Sequence, residues 1–94
     1  MQKFRNYVPY VISVVGADHE GIVNHIAHYM ASEQINIEEM DTTVTHAPNT
    51  GTPLFAMSAK VQVPPQLSLG QLRRKIEKVA EELDVDIDIK VPLS

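Results

Sequence analysis

The sequence contains no cysteine, which excludes disulfides, thiol nucleophiles, cysteine-zinc sites and iron–sulfur clusters at once and suits a reducing compartment. It also lacks any apolar run long enough to span a bilayer, and Met1 to Tyr7 carries no long apolar leader or small-residue cleavage site. A cytoplasmic protein with no membrane partner is therefore expected. Positive charge is scarce as well: 8 Lys and Arg stand against 12 Asp and Glu, a formal net charge of −4. The broad positive field that draws proteins to nucleic acid is missing. The one basic cluster, Arg73, Arg74, Lys75 and Lys78, is interleaved with Glu77, Glu81 and Glu82. The pairs Arg73/Glu77 and Lys78/Glu82 stand at i,i+4 spacing and read as a solvated helix face. Any part in transcription is expected to run through another protein.

Catalytic signals are equally sparse. Ninety-four residues leave room for one two-layer core, without a second lobe or a deep cleft between lobes. The chain shows no nucleophile in a strained elbow, no glycine-rich phosphate loop and no pair of carboxylates at a pocket. The dipeptide Asp18-His19 does not make a reaction centre without them, so no enzyme is expected. His25 and His28 stand three apart on one helical face with His19 nearby, yet no carboxylate or cysteine completes a ligand set. Neither a metal nor another cofactor is expected.

What remains is an ordinary folded composition, 44% apolar and 21% charged, which predicts one packed domain over 1–94 with a core of about 8–91. Val8 to Val15 is apolar on both parities, with Val8, Tyr10, Ile12 and Val14 on one face and Val11 and Val15 on the other, the mark of a central strand with Pro9 near its start. From Gly21 to Ser32 the period changes. Ile22, Val23, Ile26, Ala27 and Met30 form one helical stripe. Asp18 stands where it could cap this helix and Glu20 where it complements the dipole.

A second strand begins at Ile35-Asn36-Ile37 and runs on through Met40, Thr42 and Val44, its parity shift near Glu38-Glu39 predicting a bulge. Turn residues from Ala47 to Pro53 predict a hairpin loop. Leu54 to Val63 then alternates cleanly, with Phe55, Met57, Ala59, Val61 and Val63 on the buried face, until Pro64-Pro65 stops it. Ser68 and Gln71 form a capping-box pattern ahead of a helix carrying Leu69, Leu72, Ile76, Val79 and Leu83. Val85, Ile87, Ile89 and Val91 alternate with polar residues in a last strand. The order βαββαβ predicts an α+β, ferredoxin-like sandwich: a four-stranded antiparallel sheet with both helices on one face. The other face, with Val11, Val15 and Leu54, stays open, so a homodimer or higher assembly is expected.

Val15-Gly16-Ala17-Asp18-His19-Glu20-Gly21-Ile22-Val23, followed by Gln34-Ile35-Asn36-Ile37, resembles the signature of the ACT domain. Thr42-x-x-Thr45 with Ala47-Pro48-x-x-Gly51-Thr52-Pro53-Leu54-Phe55 is similar to the second ACT repeat of the glycine cleavage system transcriptional repressor. Asp18, where serine-feedback dehydrogenases often have Asn, also resembles the formyltetrahydrofolate deformylase branch. The resemblance implies a regulatory module that binds a small amino acid such as glycine at an interface and acts on a transcription regulator or a metabolic enzyme. It implies ligand contact by Gly16, Ala17, Asp18, His19, Glu20, Gly21, Ile22 and Asn36. The repressor carries two such repeats, so two copies of this chain are expected to pair about a two-fold axis. Gly21 allows close backbone approach, a helix N-terminus offers N–H groups to a carboxylate, Asp18 or Glu20 can meet an ammonium group, and Asn36 can donate and accept. The same residues also suit purely structural roles, as cap, packing glycine and backbone partner, in a module that only binds other proteins.

Overall fold

A computed structural model describes residues 6–17 and 21–92. Six elements follow in the order β1 (Val8–Ala17), α1 (Ile22–Ser32), β2 (Asn36–His46), β3 (Pro53–Val63), α2 (Leu69–Leu83) and β4 (Val85–Lys90). The strands form one antiparallel sheet ordered β2-β3-β1-β4. This is the anticipated ferredoxin-like arrangement. β1 is central, as its apolar residues on both parities require: Ile12 pairs with Ala59 on one side and Ile89 on the other.

The helices cover one face only. Ile12 and Val14 of β1, Phe55, Met57, Ala59, Val61 and Val63 of β3, and Val85 and Ile89 of β4 pack with Ile22, Ile26 and Met30 of α1 and Leu72 and Ile76 of α2. Each such aliphatic side chain contributes about 1.5–3 kcal/mol by leaving water. Val11, Ser13 and Val15, with Leu54, Ala56 and Ser58 beside them, lie on the opposite, uncovered face.

Local signals explain most boundaries. The Ser68 hydroxyl accepts from the Gln71 N–H while the Gln71 side chain accepts from the Ser68 N–H, so α2 starts on a complete capping box. The predicted bulge is present, with register shifting between Ile37 and Glu39 and leaving Glu38 unpaired in the ladder. Three expectations need correction. β4 ends at Lys90, and Val91, just ahead of Pro92, is 72% exposed. Val8, at the strand end, is exposed and does not share the burial of Ile12 and Val14. The charges of α2 do not pair along the helix. Lys75, midway along α2, instead bonds Glu33 just past the end of α1 at 2.8 Å, and His25 in the first turn of α1 lies 3.6 Å from Glu82 near the end of α2.

Candidate functional site

The β1–α1 junction is shaped by two glycines with different reasons to be glycine. Gly16 pairs with Phe55 and with Val85, and a Cβ placed on it would stand 2.6 Å from the Val85 Cγ1 and 3.2 Å from the Val85 Cα. Only a missing side chain lets β4 begin there. Gly21 has open space around it, but its φ of 86° lies in the left-handed region that side chains resist.

Gly21 is also the residue that caps α1, and it receives the His25 N–H on its carbonyl at 2.9 Å. Having no side chain, it gives no acceptor to the N–H groups of the first turn. The expected capping of this helix by the Asp18 side chain falls outside the described residues; among those described, Gly21, in a left-handed turn, is the capping residue just ahead of Ile22. Asp18, His19 and Glu20 themselves lie outside the described residues. Ala17 is exposed at the end of β1, whereas Ile22 is buried at 2% exposure and anchors α1 in the core. Ile22 can thus meet a ligand only through its backbone.

Asn36 is far from this junction. Ala17 is level with Leu54 of β3, while Asn36 is level with Gln62, eight residues along the same strand. At about 3.4 Å per residue that is about 27 Å. One chain therefore does not bring Asn36 to the β1–α1 junction, and a site containing both draws on two chains.

Beside the junction, Gly21, Asn24, His25, His28 and Tyr29 line an open hollow of about 520 Å³ along the outer face of α1. The Tyr29 hydroxyl is buried with no hydrogen-bond partner among the described residues. Burial first, and the nearby Glu33 carboxylate second, push its pKa up to about 12. Asn24 and Tyr29 were not singled out by motif. The polar stripe of α1 was the available signal for Asn24, whereas nothing in the sequence distinguishes Tyr29 from a core aromatic. Among the described residues no group of three His, Cys, Asp or Glu is placed to hold a metal ion, and no helix is long and apolar enough to cross a membrane.

The profile of the ACT domain family matches residues 9–90. The chain belongs to the ACT domain family. The UPF0237 protein of Methanopyrus kandleri is 37% identical over 81 residues, covering 85% of this chain and 83% of that one. Among solved structures, a protein of unknown function from Galdieria sulphuraria superposes with a TM-score of 0.81 at 33% identity, over 94% of this chain and 51% of that longer one. An ACT domain protein from Streptococcus pneumoniae superposes with a TM-score of 0.77 at 29% identity, over 90% of each chain. In this ACT domain the two crossovers begin differently: α2 is capped by the side chains of Ser68 and Gln71, whereas the capping residue of α1, Gly21, has no side chain.

Proposed function

We propose that this ACT domain is a cytoplasmic regulatory module that binds a small amino acid, glycine being the first to test, and catalyses no reaction itself. The ligand sits at the β1–α1 junction, where Gly16, Ala17, Asp18, His19, Glu20, Gly21 and Ile22 surround it, and Asn36 comes from a second copy of the chain. Binding alters contact with a transcription regulator of the glycine cleavage repressor kind or with a metabolic enzyme, by favouring one assembly state over another.

The observation that carries this reading is that the capping residue of α1, Gly21, brings no side chain. A carboxylate can accept from first-turn N–H groups that Gly21 leaves without a side-chain acceptor. The ammonium group of the same amino acid is the natural partner of the acidic residues in the loop.

Titration calorimetry and thermal melts over a panel of amino acids test it. The expected result is a saturable heat and a melting temperature that rises with ligand concentration, lost in Asn36→Ala and kept in Ser68→Ala. Silence across the panel removes the ligand-binding reading. A second reading, a protein-docking module without a ligand, is favoured by the uncovered sheet face. There Val15 is 49% exposed and borders a shallow hollow of about 350 Å³ with Ser13, Asp41, Ala56 and Ser58. On that reading Val15→Asp abolishes partner binding while amino acids give no heat.

A further inference from the structure

Acidic charge is spread unevenly over the fold. Residues 77–88, the end of α2 and most of β4, hold Glu77, Glu81, Glu82, Asp84, Asp86 and Asp88 against a single cation, Lys78, so half of the chain's 12 acidic residues fall here. All six are exposed. Glu82 lies 3.6 Å from His25 and Asp88 lies 3.9 Å from Lys90. Glu77, Glu81, Asp84 and Asp86 have no ion-pair partner among the described residues.

These four rim a groove along one edge of the sheet. A hollow of about 390 Å³ between the last turns of α2 and β4 has Ala80, Val85 and Ile87 as its floor. It runs on past Ile76 and Ile89 as far as Arg73. β4 is the edge strand here, paired with β1 alone. The Ile89 carbonyl accepts from the Arg73 guanidinium at 3.5 Å, which faces it away from β1. Backbone N–H and C=O groups alternate sides along an antiparallel ladder, so those of Val85 and Ile87 face the same open side. An apolar floor, outward-facing backbone groups and unpaired acids therefore lie side by side.

We propose that this groove docks a basic, extended segment of a partner protein, which adds to β4 as a fifth strand. The segment carries one apolar residue between two lysines or arginines. Its apolar residue lies opposite Ile87, on the helix-bearing face, against Ile76 and Ala80. Its basic residues lie opposite Asp86 and Asp88 on the other face, where those carboxylates stand beside Val15 and Ser13. A further cation can rest its stem on the apolar floor and reach Glu77 and Glu81 at the rim. A second copy of β4 does not fit this edge. Centred on Ile87 it sets Asp86 against Asp88, centred on Asp88 it opposes two carboxylates, and centred on Ile89 it meets Arg73 at that carbonyl. This docking is independent of whether an amino acid binds at the β1–α1 junction.

The test uses the full chain and a labelled, end-capped peptide, Thr-Lys-Val-Lys-Thr, followed by fluorescence anisotropy and by hydrogen exchange. Binding should saturate and weaken as salt rises. Asp86→Lys combined with Asp88→Lys, both at exposed positions, should weaken it about tenfold or more with an unchanged far-UV spectrum. N-methylation of the peptide's valine removes the donor to the Ile87 carbonyl and should weaken binding by a similar factor. The Ile87 amide should exchange more slowly with peptide bound. Val15→Asp, which spoils the uncovered sheet face, should leave binding intact. No saturable binding overturns the proposal. So does equal binding of the methylated peptide, which reduces the contact to charge attraction, or of Thr-Glu-Val-Glu-Thr. Protection at Val44 in place of Ile87, or loss of binding in Val15→Asp, moves the contact to β2 or to the open face and overturns it as well.

Discussion

The two strand-to-helix junctions of this fold occupy equivalent places in its two βαβ halves, and they are built on opposite plans. β3 leads to α2 through Pro64-Pro65 and a reciprocal capping box in which Ser68 and Gln71 satisfy each other. β1 leads to α1 through glycines at 16 and 21, and the capping residue brings no side chain. The second junction consumes its own hydrogen-bonding capacity. At the first, the capping residue itself offers no side-chain acceptor, and a ligand carboxylate can supply one.

The largest effect that can break this contrast is Gly16→Ala. Its Cβ has no space against Val85, so overpacking should cost about 1–3 kcal/mol in urea unfolding. A neutral result would mean that β4 can start elsewhere and that the first junction is not held by that contact. Gly21→Ala should cost about 1–2 kcal/mol because φ is 86°, and should weaken amino-acid binding measured calorimetrically. Ser68→Ala, the matching change at the closed junction, should cost about 1 kcal/mol and leave binding unchanged. Equal effects of these two on binding would erase the functional distinction.

The smallest effect belongs to Tyr29, between the first junction and the helix pair. Its hydroxyl has no described partner, so Tyr29→Phe should be neutral or stabilising by less than about 1 kcal/mol. The folded state holds the Tyr29 proton up to about pH 12, whereas an unfolded tyrosine releases it near pH 10. Stability associated with this group is therefore complete below pH 10 and is lost as pH rises from there toward 12. Alkaline melts of Tyr29→Phe should lack that part of the decline.

Much of the fold was legible because its signals are local. Alternation from Phe55 to Val63 marks one buried face, the Ser68/Gln71 spacing marks a helix start, and the parity slip after Ile37 marks the bulge. The candidate site was legible only in part. Its glycines were visible, but the reason for Gly16 is Val85, remote in sequence and brought alongside by the sheet. Likewise no local pattern marked Gly21, whose backbone is left-handed, as the residue that caps α1. The ion pairs of α2 could be written along the helix from i,i+4 spacing, yet Lys75 found Glu33 because a second helix packs beside it.

Periodicity, turn residues and caps thus determined the six elements, their order and which face of each is apolar, since these follow from backbone geometry within a few residues. Tertiary packing alone decided that Asn36 and the β1–α1 junction stand at opposite ends of the sheet, and that Val44, paired with the buried Phe55, is itself 53% exposed. Those are properties of strand order and register, in which residues meet partners far along the chain, and no local pattern carries that information.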